Sequence, residues 1–177
     1  MRALSLTAVI AAAVLSTGLA YAATMAPQPA KPVTPQVYSG RWYEIARIPN
    51  QMQRDCEGAT SEFRNFADGQ FRVVQTCHKG SPTGPAQTFN ANGRILPASN
   101  NAKLRMSFFG GVVSQEYWIL DRADDNAWAI MATPGGNYVW LLSRRPVMDA
   151  ATRARIVARI SALGFNTDRL QYPQQAG

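Results

Sequence analysis

Three short runs near the C-terminal end of the chain are apolar on both faces, and few folds can accommodate that. Glu116 to Leu120, Ala127 to Ala132 and Tyr138 to Ser143 are separated by Asp121 to Asn126 and by Pro134-Gly135-Gly136-Asn137. Short runs rich in Trp, Tyr, Ile and Val between such turn residues read as strands. A turn at Pro134 to Asn137 sets Met131 opposite Trp140 and Ala129 opposite Leu142. A turn at Asp121 to Asn126 sets Ala129 opposite Trp118 and Ala127 opposite Leu120. Opposed side chains share a face. One face is then Glu116, Trp118, Leu120, Ala127, Ala129, Met131, Tyr138, Trp140 and Leu142; the other is Tyr117, Ile119, Trp128, Ile130, Val139 and Leu141. A sheet wetted on one side alternates apolar with polar residues. These strands do not, so one face must line an interior and the other must be covered.

A helix supplies the cover. Asp149 is a suitable N-cap; Ile156, Ile160 and Leu163 fall on one stripe; Gly164 ends the helix. Phe165 to Tyr172 reads as a return strand on the sheet edge.

The remaining strands come earlier. Gly40-Arg41-Trp42-Tyr43-Glu44-Ile45-Ala46-Arg47 opens the β-rich region, with a first strand over Trp42 to Ile48. Gly40 permits a tight approach of the backbone, and the Trp42 indole is large enough to plug the end of a small barrel. Thr60 to Phe66 and Phe71 to Cys77 form a hairpin around Asp68-Gly69. Gln87 to Leu96 and Leu104 to Phe109 follow. The expected fold is all-β: an eight-stranded antiparallel up-and-down β-barrel with one C-terminal α-helix packed outside. The barrel domain covers 38–173, and 174–177 is a tail.

The N-terminal region reads differently. Met1-Arg2, an apolar run from Ala3 to Leu19 and Ala20-Tyr21-Ala22 make a signal peptide over 1–22, cut before Ala23. No Cys follows that run, so an N-terminal lipid anchor is not expected. Residues 23–37 hold four Pro (Pro27, Pro29, Pro32, Pro35), the composition of an extended, poorly ordered leader. The expected location is periplasmic or secreted, with no transmembrane segment in the mature chain.

Arg144 shares parity with Trp140 and Leu142. It is expected to lie across Trp42, closing the barrel floor by a cation–π contact and by hydrogen bonds to the leader backbone. Gly40-x-Trp42 at the first strand, Asn137-Tyr138-Val139-Trp140-Leu141-Leu142-Ser143-Arg144 at the last and a helix beyond it resemble the lipocalins, and within them the bacterial lipocalin group. The resemblance covers about Tyr38 to Tyr172. It departs where lipocalins often carry Thr-Asp-Tyr: here the residues are Gly136-Asn137-Tyr138.

The resemblance implies a cup for a small apolar or amphipathic ligand, in the bacterial group a fatty acid or a lysophospholipid. Trp118, Leu120, Met131, Tyr138 and Trp140 are the expected lining, joined by Leu104, Met106 and Phe108. Phe109, Val112 and Val113 are expected at the mouth, with Arg105 as a rim cation. Glu44 shares Trp42's parity and is expected to point inward, as is Ala46; the Glu44 carboxylate needs either a ligand or an internal Arg or water as partner. Cys56 and Cys77, two cysteines in an exported chain, read as a disulfide. His78, the sole His, reads as a loop residue, and no metal or cofactor site is expected.

No nucleophile, base and orienting acid assemble in the sequence, so an enzyme is not expected. The net charge of +7 allows a second reading, a basic surface module for anionic envelope components, including peripheral contact with an anionic membrane. No nucleic-acid motif is present.

Overall fold

The tight turns set the barrel's register. In the computed structural model, which describes residues 25–176, Asp68 and Gly69 both take positive φ, 50° and 75°. Such a turn matches the right-handed twist of its flanking strands. It joins β2 (Cys56–Ala67) to β3 (Gln70–Lys79), with Phe63 opposite Val73. The other strands are β1 (Gly40–Arg47), β4 (Ala86–Ile95), β5 (Lys103–Phe108), β6 (Val113–Arg122), β7 (Trp128–Ala132) and β8 (Val139–Ser143). All neighbours pair antiparallel in chain order, and β8 closes on β1. The helix α1 (Ala150–Ala162) is capped by Asp149, whose carboxylate accepts from the Thr152 N–H. The expected signal peptide over 1–22 and its cleavage site lie outside the described residues.

Two apolar clusters follow from the two-faced strands. The outer one packs Ile45, Ala46, Ile130, Val139 and Leu141 beneath Ile156, Ile160 and Phe165. The inner one fills the lower barrel with Trp42, Tyr38, Phe63, Phe71, Leu104 and Ile119. Tyr38 stacks on Phe71 at 5.2 Å between ring centroids. The Phe71 ring also lies over Gly93 so closely that a Cβ there would sit 2.1 Å from it.

Strand β6 departs from the expected parity. Trp118 pairs with Ala132, not Ala129, and the register shifts between Ile119 and Asp121. The turn ahead of β7 lies further along the chain than expected, Arg122 pairing with Ala129, and the change in register at Trp118 is an odd number of residues. An odd slip turns every side chain over. Tyr117 and Ile119 therefore face inward, while Trp118 and Leu120 join the cluster under the helix. Glu116 also faces outward, where it holds Arg105.

The leader and C-terminal segment are more ordered than composition suggests. Ala26, Val33 and Val37 are buried, and the Ala26 and Val33 N–H groups donate to Pro134 and Asn100. The expected return strand over Phe165 to Tyr172 is reduced to one bridge between Arg47 and Gln171. The tail residue Gln175 reaches back, its side-chain amide donating to the Glu44 and Ala59 carbonyls.

Candidate functional site

The floor of the barrel is closed by side chains from three parts of the chain. The Trp42 Nε1–H donates to the Val37 carbonyl at 2.9 Å. The Arg144 guanidinium sits 3.7 Å from the centre of the Trp42 ring. Its Nη atoms donate to the carbonyls of Gln36, Ser39 and Arg41 at 2.8 to 3.0 Å. Gly40, with φ of +68°, brings the strand start to within 3.7 Å of Arg144 at its would-be Cβ. Tyr38, whose hydroxyl donates to the Asn101 carbonyl, has its pKa pushed up by burial.

The opposite end is open. A cavity of about 200 Å³ lies in the upper half, lined by Phe108, Tyr117, Tyr138, Trp140, Glu44 and Gln53 among others. A small extension of about 20 Å³ runs downward between Met106, Met131, Leu142 and Phe63. Phe109, Val113 and Met52 stand at the mouth. The Cys56–Cys77 disulfide joins β2 to β3 at this end and lines the cavity.

A buried polar network forms one wall. Glu44 and Arg47 are almost fully buried. A register shift between Glu44 and Ala46 turns Ile45 and Ala46 outward together and brings Arg47 back inside, opposite Trp140. Ala46 thus packs under the helix and does not face the cavity. Arg47 Nη1 donates to Glu44 at 3.2 Å, and Nη2 donates to the Cys56 carbonyl at 2.5 Å. Gln53, on a short 3-10 turn over Gln51–Gln53, donates its amide to both Glu44 oxygens at 3.0 and 2.8 Å. The Gln53 side-chain Oε1 in turn accepts from Trp140 Nε1–H at 3.1 Å. Burial raises the Glu44 pKa, opposed by Arg47 and the Gln53 donors. Tyr117, also buried and near Glu44, is pushed up to about 12. Thr133 Oγ1 is buried at the cavity wall without a hydrogen-bond partner among the described residues.

The structure brings together Glu44, Phe108, Tyr138 and Trp140 around the cavity, with Met106 and Met131 along its extension. Leu104 lies deeper, in the packed floor cluster. Trp118 and Leu120 are displaced from the expected lining by the β6 register, and Trp118 instead receives Lys103 over its ring at 4.1 Å. Arg105 is no rim cation: it is paired with Glu116 on the outer wall at 2.5 Å. Sequence reasoning missed Arg47, Gln53, Tyr117 and Thr133. Only Arg47 left a signal, because a buried Glu44 calls for a cation nearby.

The Lipocalin-like domain family matches residues 33–175 of this chain. The chain belongs to the lipocalin family. It is 31% identical over 155 residues to the outer membrane lipoprotein Blc of Vibrio cholerae, covering 84% of this chain and 88% of that protein. Blc of Escherichia coli strain K12 is 28% identical over 140 residues, covering 79% of this chain and 78% of that protein. Among solved structures, insecticyanin from Manduca sexta superposes with a TM-score of 0.67 at 18% identity, covering 88% of this lipocalin and 87% of that chain. That likeness supports the fold. Lipocalins are binders of small hydrophobic ligands, and this one has a cavity at one end of its barrel.

Proposed function

We propose that this lipocalin takes up a single-chain amphiphile, a fatty acid or lysophospholipid, in the bacterial envelope, in the periplasm or outside the cell. The observation that carries the reading is the cavity, closed below by the aromatic floor and open above through an apolar mouth. Its size limits the ligand. A pocket for a drug-sized molecule holds roughly 300–1,000 Å³, whereas an apolar cavity of about 150 Å³ holds benzene. A cavity of about 200 Å³ therefore takes the end of one acyl chain and leaves the head at the mouth. Each buried CH₂ contributes about 0.8 kcal/mol, so half a long chain gives useful affinity before the cost of association. The resemblance to proteins named outer membrane lipoproteins supports the envelope location.

Transport or storage fits this geometry better than catalysis. Both cysteines are joined in the disulfide. Among the described residues, no three His, Cys, Asp or Glu side chains gather as a metal site. The test is to titrate the purified protein with long-chain fatty acids and lysophospholipids while following Trp fluorescence, and to identify co-purifying lipid by mass spectrometry. Saturable emission change with bound single-chain lipid is expected. Unchanged emission together with lipid-free protein would overturn the proposal.

A further inference from the structure

The open end differs chemically from the rest of the surface. Its four loops, residues 48–55, 80–85, 109–112 and 133–138, contain only two charged residues, Arg54 and Asp55. They also concentrate exposed apolar side chains. Met52 is 45% exposed, Phe109 59%, Val112 84%, and Val113, at the start of β6, 47%. An exposed apolar cluster of this kind marks a contact surface.

Backbone geometry supports the same conclusion. Phe109 holds φ of +51°, which is rare for a bulky residue, and Gly110 and Gly111 follow at +69° and +99°. Among the described residues, nothing lies within 4 Å of a Cβ built on either glycine. Phe109 therefore holds a rarely adopted backbone conformation at the start of an open loop, its ring packed on its neighbour Phe108 and otherwise largely presented to solvent. Strain of this kind persists at functional sites. Met52, Phe109 and Val113 line the cavity as well, so the patch borders its mouth.

We propose that the open end of the barrel is a lipid-docking face, whose loops carrying Met52, Phe109 and Val112 insert into the interface of a phospholipid bilayer with the cavity mouth against it. The choice of a bilayer rests on the acyl-chain reading of the cavity, because a chain could then pass between bilayer and cup without crossing water. The charge distribution sets the mode of attachment. Exposed Arg64, Arg72 and Arg94 stand on the outer wall of β2 to β4, and Arg153 and Arg155 on α1, none of them in the mouth loops. Docking is thus apolar and tolerates salt.

The test is co-sedimentation with vesicles of phosphatidylcholine, with and without phosphatidylglycerol, at low and high salt. The variant is the double substitution Phe109→Ser with Val112→Ser. Both side chains are exposed, and a thermal melt matching wild type checks the fold. The wild type is expected to sediment with both vesicle types at both salt concentrations, and the variant to partition at least about tenfold more weakly, from the apolar area withdrawn from the interface. Wild type left in the supernatant, or a variant binding within about twofold of it, overturns the proposal. So does binding confined to phosphatidylglycerol at low salt. A wild-type dimer that the variant dissociates without vesicles assigns the patch to a second copy instead. Uptake of dissolved fatty acid is measured separately. Uptake without vesicle binding sinks the docking alone, whereas absent uptake sinks the acyl-chain reading.

Discussion

The lower and upper halves of this barrel are built from the same strands on opposite plans. Below, Tyr38, Trp42, Phe63 and Phe71 interlock, and Phe71 fills the space that Gly93 leaves. Above, the inward positions carry Glu44, Arg47, Gln75, Tyr117 and Thr133, which do not pack as densely and leave a cavity. Stability and openness are thus carried by different ends of the same strands. The floor is apolar burial with its few polar atoms satisfied. The cup gives up close packing and retains a buried ion pair, which seldom adds net stability after its desolvation cost.

The largest effect is expected at the floor. Trp42→Ala is expected to destabilise by about 3–5 kcal/mol, as aromatic truncations in packed cores do. Urea unfolding measures it, and a loss below about 1 kcal/mol would mean that the lower half is not a solid core.

In the upper half the decisive substitution is Glu44→Leu. Alone it strands the Arg47 guanidinium and is expected to cost about 3 kcal/mol or more. Combined with Arg47→Met it should recover most of that loss, because an apolar pair removes both desolvation penalties. A double variant no more stable than the single one would show that the pair is cooperative in its own right.

A smaller effect has the opposite sign. Thr133→Val replaces a buried hydroxyl, which has no partner among the described residues, by a methyl of similar shape. It is expected to stabilise by about 1 kcal/mol. Destabilisation on chemical unfolding would contradict the view that the cup is polar at the expense of stability.

The last concerns pH. Burial alone would raise the Asp121 pKa, but donors from Arg159, the Arg122 N–H and Lys31 outweigh it and hold the carboxyl below its ordinary 3.8. A depressed folded pKa contributes stability that is present above the ordinary value and lost as pH falls through the folded one. Asp121 ties both α1 and the leader to β6. Stability should therefore fall on acidification below about 3.8, and Asp121→Asn should flatten that part of the profile. An unchanged acid limb in the variant would remove Asp121 from the account.

Much of the fold was legible because it is written in local chemistry. Asp68-Gly69 supplies a turn, Asp149 a cap, and Ile156 with Ile160 a stripe. The pairing of Met131 with Trp140 followed from the Pro134 to Asn137 turn and is present. The cup was less legible, because its residues depend on two register irregularities. The shift at Ile45 sends Arg47 inward, and the shift before Asp121 exchanges Trp118 for Tyr117. Neither interruption has a glycine or proline to announce it. Both satisfy the outer cluster, where pairs such as Ile45 and Ala46 gain cover from the helix.

Tryptophan quenching by a long-chain fatty acid brominated near its terminal methyl locates the bound chain within the barrel. Trp140 borders the cavity, Trp42 lies in the closed floor, and Trp118 and Trp128 belong to the outer layer. Saturable quenching that disappears in Trp140→Phe while the variant still binds the unlabelled acid is the predicted result. Quenching that survives in Trp140→Phe, with the chain reaching Trp42 or the outer indoles, would contradict a cup confined to the upper half.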